Sequence, residues 1–486
     1  MELSELLYRV SLVSTKGNMS LDISTIQFDS RKVAKGDMFI ALSGVEVDGH
    51  QFIDSAVEKG AVVIVCNALP EKLADGITYI QVKDSTEAIG IIAANLYGNP
   101  TDKITLVGVT GTNGKTTTAT LLFQLFTDLG YNCGLISTVT NRIISEELPS
   151  THTTPDILSL NQLLAEMVKK GVTHCFMEVS SHALQQKRNF GLKYKAGIFT
   201  NITHDHLDYH KTFDNYISAK KLLFDHLPKE AVAIVNIDDR RGKIMLQNCV
   251  AEKVTISLKA VADVKGRLIS SNFQGLEMEI DGKEVWFQMV GSFNAYNLLG
   301  VYATATQLGE DSDAVLQSLS KIRGVTGRFE SIRSSEGVIG IVDYAHTPDA
   351  LENVLQTISS IRSGNEKVIT VFGCGGNRDK TKRPVMTSVA CQYSDTVIVT
   401  SDNPRNEDPA TILRDMIEKL DPVEIKKVLK ILDREDAIKT ACMMAKKGDI
   451  ILVAGKGHET YQEIKGERYP FDDREVLKGF WKINEI

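Results

Sequence analysis

The sequence predicts an α/β protein of three domains, and three observations predict it. The chain has 486 residues, which at about 100–200 residues per domain suggests about three. Short apolar runs of strand type alternate with helical stretches, the pattern of a parallel sheet covered on both faces. Turn-rich breaks fall at YGNPTDK (97–103) and RGVTGRFESIRSSEG (323–337). The expected units are a small mixed α/β domain (1–101), a central P-loop-type parallel sheet (102–330) and a Rossmann-like doubly wound domain (331–486).

In the first unit, MFIAL (38–42) and AVVIV (61–65) read as buried strands. FIDSAVEKG (52–60) between them reads as a helix closed by Gly60. In the second, ITLVGVT (104–110) is a strand, followed by a Gly-rich loop and the helical run TTTATLLFQLFTDLG. HCFMEVS (174–180), AGIFTNI (196–202) and AVAIVNI (231–237) are its further strands. In the third, the strands are VIGIVDYA (338–345), KVITVFG (367–373), DTVIVTSD (395–402) and DIILVAG (449–455).

Composition narrows the function class. Hydrophobic residues are 43% and charged residues 24%, ordinary for a globular chain. Lys and Arg number 55 against 62 Asp and Glu, a net charge of −7, which disfavours nucleic acid or an anionic membrane as partner. Seven scattered cysteines without a CxxC argue against a zinc ribbon or a disulfide framework. MELSELLYRVSLVSTKG has no signal-peptide pattern, and no apolar run approaches the ~20 residues of a membrane span. A cytoplasmic location is expected.

The sharpest chemical signal is Gly108-Val-Thr-Gly111-Thr112-Asn113-Gly114-Lys115-Thr116-Thr117, between strand and helix. There, backbone N–H groups and a helix N-terminus can hold phosphate oxygens. Lys115 would reach the terminal phosphates and the Thr116 hydroxyl would ligate Mg²⁺. The generic pattern wants glycine at 109, where this chain has Val109, with Gly108 one residue earlier. ATP is the expected co-substrate.

GxxGxxGKTT is also where a family resemblance begins. It resembles the Mur ligases and the related folylpolyglutamate synthetases, ATP-dependent amide-bond formers that carry this loop in a central domain. Glu178, at the end of its strand, sits at the carboxyl edge of the sheet and is a candidate Mg²⁺ ligand. Asp205, His206, Asp208 and His210 could suggest zinc, but no cysteine is near to close a tetrahedral site. TNITHDHLDYHKTFDNYISAKK instead resembles the DHLDYH motif of the Mur ligases, whose first His helps to hold a second Mg²⁺; that role falls to His206. The same motif implies that Lys220, four residues after Tyr216, is carbamylated to N6-carboxylysine and serves as a further metal ligand. From residue type alone, Lys220 reads equally well as a surface lysine on a charged helix.

The resemblance continues along the chain. In GSFNAYN (291–297), Asn294 and Asn297 share a helical face, and Asn294 matches the family's ATP-contacting amide. Arg328 in GRFE could neutralise the transferring phosphoryl group from the domain junction, and Asp343 in VDYAHTPDA matches a ribose contact. FDSRKVAKGDMFIALSGVEVDGHQF (28–52) resembles the UDP-gripping domain, with Ser30 as a contact and Phe28 where many relatives have Leu. Thr153, Thr154, Ser180, Gln186 and Arg188 match contacts to a muramoyl peptide.

Three loops of the last domain follow strands and would form an amino-acid pocket: FGCGGNRDKTKRP (372–384), VTSDNPRNEDP (399–409) and AGKGHETYQ (454–462). Cations there suit a carboxylate, and a carboxylate suits an ammonium. Asp402-Asn403-Pro404-Arg405 resembles the tetrad of family members that add meso-diaminopimelate to UDP-N-acetylmuramoyl-L-alanyl-D-glutamate; members adding L-lysine usually carry another. Arg405 could fork onto the extra carboxylate. Arg378, Gly455 and Glu459 match further contacts in that branch. The resemblance thus implies an ATP-dependent ligase of peptidoglycan precursor synthesis, with an acyl phosphate, two Mg²⁺ and a monomeric state. The same reaction with L-lysine, and more remotely a folylpolyglutamate-type ligase, are the alternatives.

Overall fold

The computed structural model describes the chain except Val45, Glu46, Thr151 and residues 484–486; the side chains of Asp208 and Ile483 also lie outside the described set. Three large sheets follow one another along the chain. The first has five strands in the order Leu12–Lys16, Thr78–Val82, Val63–Cys66, Met38–Ile40, Ile26–Gln27. All its pairs are parallel except the first. Helix Ser85–Leu96, capped by the Asp84 carboxylate, covers one face. Its Gly90 fits against the middle of the chain so closely that a Cβ there would meet Phe190 O at 2.5 Å. Lys187 ties the same seam to Asp84 at 2.7 Å and Glu87 at 2.6 Å.

The second sheet has eleven strands, with Thr105–Thr110 flanked by Ala196–Phe199 and His174–Glu178. The pairs from Val264–Asn272 across to Cys133–Ile136 are parallel. The sheet is parallel at its centre, as expected, and carries antiparallel strands at its margins. Gly275–Ile280 and Lys283–Phe287 extend one edge antiparallel, and Thr140–Ile143 and Glu146–Pro149 extend the other. The physical reason is connection length: short turns can join only antiparallel neighbours, whereas a parallel pair needs a crossover. The central strands are uniformly buried, while Lys283–Phe287 alternates between exposed and covered positions.

The third sheet has six strands in the order Glu330–Arg333, Ile339–Asp343, Ile450–Ala454, Val368–Cys374, Thr396–Ser401, Val428–Lys430. Only the first is antiparallel. Helices lie on both faces, with apolar clusters around Phe372 on one side and Val371 and Trp481 on the other. In both parallel sheets the loops at the carboxyl ends of the strands turn toward a shared cleft. Among the described residues no helix is long and apolar enough to cross a membrane.

Candidate active site

A cleft of about 1640 Å³ runs between the second and third sheets. Its floor is the phosphate loop, set by strand Thr105–Thr110 and helix Lys115–Asp128. Two positions require glycine. Gly111 has φ +156° and a Cβ there would lie 1.9 Å from Thr200 Oγ1; Gly114 has φ +87° and a Cβ would meet Asn297 Oδ1 at 2.5 Å. Thr200 and Asn201, at the end of the adjoining strand, hold the loop: Thr200 Oγ1 donates to Asn113 O at 2.6 Å and Asn113 N donates to Asn201 Oδ1 at 3.0 Å. Lys115 folds back on this loop, donating to Gly111 O at 2.9 Å and Thr112 O at 2.8 Å. Burial lowers its pKa from the ordinary lysine range, opposed by Glu178 and Asp205 nearby.

Lys220 is buried, not a surface residue of a charged helix. It lies in helix Phe213–Asp225, its Nζ donating to Gly111 O at 2.7 Å and standing 4.5 Å from the Tyr216 ring centre. Burial, reinforced by Lys115, pushes its pKa well below the ordinary lysine value. Glu178 is likewise buried; its carboxylate accepts from Thr138 N at 2.7 Å and Thr138 Oγ1 at 3.2 Å. His206, at φ +52° before the turn Leu207–His210, lies 3.5 Å from Asp205, and burial lowers its pKa to about 4.

The side chains matched to a muramoyl peptide form one network beside Glu178. Thr153 Oγ1 lies 3.0 Å from Thr138 Oγ1, within hydrogen-bond distance, and Thr154 Oγ1 donates to Glu178 O at 2.9 Å. Ser180 N donates to Thr154 Oγ1 at 3.2 Å, and Ser180 caps the helix Ser181–Gln185. Arg188 reaches Thr154 O at 3.2 Å and Gln186 Oε1 at 2.9 Å, while Gln186 in turn donates to Tyr209 at 2.9 Å. Gln186 stands behind the cleft wall, and Ser30 lies outside the cleft. Ser30 sits in the turn Ser30–Lys32 of the first sheet's region, its carbonyl accepting from Lys59 at 3.1 Å.

Arg328 crosses to the phosphate loop, donating to Thr116 Oγ1 at 3.1 Å and stacking 4.5 Å from the Tyr344 ring centre. Asp343 is buried, both its oxygens engaged by Phe329 N and Ala345 N at 2.7 Å, and burial raises its pKa despite Arg328. Of the two asparagines, Asn297 lines the cleft. Asn294 stands behind it, donating to Val290 O at 2.8 Å and accepting from Asn297 at 2.9 Å. Asp349 is a residue that sequence reading passed over. It accepts from Asn113 at 3.0 Å and Thr203 at 2.8 Å, joining the third sheet's domain to the phosphate loop. Its signal was its place in the first turn of helix Pro348–Ile361, directly after the VDYAH strand end.

At the opposite wall, Arg378, Asp402, Asn403, Arg405, Gly455 and Glu459 meet; Pro404 does not reach the surface of the cleft. Asn403 donates to Glu459 at 2.9 Å and accepts from the buried Lys456 at 3.0 Å. Gly455, at φ +113°, leaves room for Asp402, whose Oδ2 a Cβ would meet at 2.9 Å. Arg405 has φ +52° and donates to Gly376 O at 2.9 Å. The cleft therefore offers a phosphate cradle at one end and cations beside carboxylates at the other.

No three His, Cys, Asp or Glu side chains among the described residues come together as a metal cage. The oxygens of Thr116 and Glu178 at the cradle fit Mg²⁺, which binds through one or two protein oxygens together with substrate phosphates and water.

Comparison with known proteins agrees with this geometry. Three family models match: "Mur ligase family, catalytic domain" over 22–97, "Mur ligase middle domain" over 109–305 and "Mur ligase, glutamate ligase domain" over 327–457. A UDP-N-acetylmuramoyl-L-alanyl-D-glutamate–2,6-diaminopimelate ligase of Cytophaga hutchinsonii is 60% identical over 480 residues, covering 98% of each chain. The protein of that name from Bacteroides fragilis is 52% identical, covering 99% of this chain and 100% of its own. A solved structure bearing that name aligns with TM-score 0.72 and 32% identity, over 100% of this chain and 99% of its own.

Proposed function

Because this chain belongs to the Mur ligase family, we propose that it is an ATP-dependent ligase of peptidoglycan precursor synthesis. It joins meso-diaminopimelate to the D-glutamyl side-chain carboxylate of UDP-N-acetylmuramoyl-L-alanyl-D-glutamate. The observation that carries this reading is the single cleft with the phosphate loop on one wall and Arg378, Arg405 and Glu459 on the other.

Condensing a carboxylate with an amine in water is uphill, so the carboxylate is first activated. Its oxygen attacks the γ-phosphorus of ATP, ADP leaves, and an acyl phosphate forms. The neutral amine of diaminopimelate attacks the acyl carbon, and the tetrahedral adduct expels phosphate as the amide closes. The chain's work is positioning and charge neutralisation. Backbone N–H groups of 111–117 and Lys115 hold the triphosphate, and Arg328 meets it from the domain junction. Asn294 and Asp343 are assigned to the nucleoside; the engagement of both in chain hydrogen bonds implies that they act by shaping its seat. Thr153, Thr154, Ser180, Gln186 and Arg188 hold the muramoyl peptide, with Ser30 on the uridine side. Arg405 and Arg378 take the distal carboxylate, Asp402, Asn403, Pro404 and Gly455 frame it, and Glu459 takes an ammonium.

Thr116, Glu178, His206 and Lys220 would hold two Mg²⁺, which would lower the repulsion between the incoming carboxylate and the γ-phosphate. Lys220 enters this set as its carbamate. Its support is burial beside Lys115: a depressed pKa eases loss of the proton, the free amine is the form that attacks CO₂, and the product extends an anion on a long arm. A cytoplasmic monomer belongs to the same reading. The test is phosphate release with UDP-muramoyl dipeptide and ATP, adding meso-diaminopimelate or L-lysine in turn. Turnover with diaminopimelate and little with lysine is expected; equal turnover with both overturns the assignment of the amino acid.

A further inference from the structure

We propose that Glu407, together with the buried guanidinium of Arg383, is a positioning device that sets the distance between Arg378 and Arg405 and so selects the acid the pocket accepts. This rests on the pocket reading given above. Arg383 lies in the first turn of helix Lys382–Tyr393 and is fully buried. Its Nη1 donates to Asp415 at 2.7 Å, and its Nη2 to both oxygens of Glu407 at 3.0 Å and to Gly375 O at 3.3 Å. Desolvating a guanidinium is costly unless its partners are well placed, so this cation holds Glu407 and Asp415 in fixed positions.

Glu407 shows what that geometry is. Its carboxylate also accepts from Asn377 N at 2.6 Å, the residue before Arg378. Its own backbone N donates to Pro404 O at 3.0 Å, closing the turn that carries Arg405. One side chain thus grips the first cationic loop while its backbone belongs to the second. The loops are also stapled directly: Gly376 N donates to Asn403 O at 2.9 Å and Arg405 to Gly376 O at 2.9 Å. They fit so closely that a Cβ on Gly376 would lie 1.9 Å from Pro404 O. Asn377 and Arg405 both adopt left-handed backbone, φ +55° and +52°, conformations that persist only where the surroundings impose them. Neither Arg383 nor Glu407 lines the cleft, so neither touches a ligand there. Glu407 further takes Lys380 at 3.3 Å, drawing that cation to the far side of the loop.

The experiment compares the full-length protein with Glu407→Gln and Glu407→Asp by phosphate release, varying each substrate in turn. Glu407→Gln is expected to raise the KM for diaminopimelate about tenfold or more, with the KM for ATP unchanged, and to narrow the preference over L-lysine. Glu407→Asp keeps the charge on a shorter arm and is expected to recover part of the loss. It reads the same split should the Gln variant fail to fold. A KM for diaminopimelate unmoved in both variants, or all KM values rising in parallel with a fall in melting temperature, overturns the positioning role. An unsubstituted protein that does not turn over diaminopimelate overturns the pocket reading itself and this inference with it.

Discussion

Lys220 Nζ lies 2.7 Å from the carbonyl oxygen of Gly111, a contact across 109 positions of sequence that brings the second cation of the cleft onto the phosphate loop. Lys115 Nζ donates to the same carbonyl at 2.9 Å. Two lysines on one oxygen, Lys220 buried and Lys115 half-buried, make it costly to charge both, and the greater depression falls on Lys220.

Lys220→Ala should therefore lower kcat on the order of 10²–10³-fold, the scale of removing one charge-stabilising group from an active site. Short-chain carboxylic acids should restore part of it, because they supply the anion that the carbamate provides. Enzyme in CO₂-stripped buffer should lose activity and regain it with bicarbonate, and ¹³C-bicarbonate should give a carbamate resonance. Full activity in the alanine variant would reject the role.

Arg405→Ala should raise the KM for diaminopimelate far more than that for ATP. Truncating one partner of a desolvated charge pair costs about 2–5 kcal/mol. Steady-state kinetics with each substrate varied is the measurement, and equal changes would contradict the pocket assignment.

Asp349 joins two domains through Asn113 and Thr203. Hydrogen bonds to a charged group contribute about 1.5–3 kcal/mol each, net of the bonds to water they replace. Asp349→Ala should expand the protein in small-angle scattering and raise the KM for ATP several-fold. Asp349→Asn, which keeps an acceptor oxygen, should do less.

His458 packs 4.9 Å from the Tyr344 ring centre, and its Nδ1 is buried without a hydrogen-bond partner. Burial, with Arg328, Arg474, Lys456 and His346 nearby, lowers its pKa from 6.5 to about 3. The unfolded chain takes up this proton near 6.5 and the folded chain only near 3. Stability from this group is thus complete above about pH 6.5 and declines as pH falls toward 3, by at most about 1.4 kcal/mol per pH unit. Melting temperatures of His458→Gln should show a shallower acid decline than the parent between pH 7 and 5. Parallel curves would count against the burial argument.

Local sequence was enough for what local rules govern. The strand, Gly-rich loop and helix at 105–128 lie where their spacing puts them, because φ-positive glycines and a helix N-terminus are properties of a short segment. The apolar runs at 368–374, 396–401 and 450–454 are buried strands for the same reason. The edge hairpins at 140–149 and 264–287 were not legible, since their half-covered strands lack a continuous apolar run. Tertiary structure alone decided that Lys220 is buried, that Asn297 rather than Asn294 faces the cleft, and that Asp349 reaches Asn113. Residue type and spacing are the same whether a lysine meets water or a carbonyl from a distant strand. Only the packing of remote segments removes the water, and with it the ordinary behaviour of the charge.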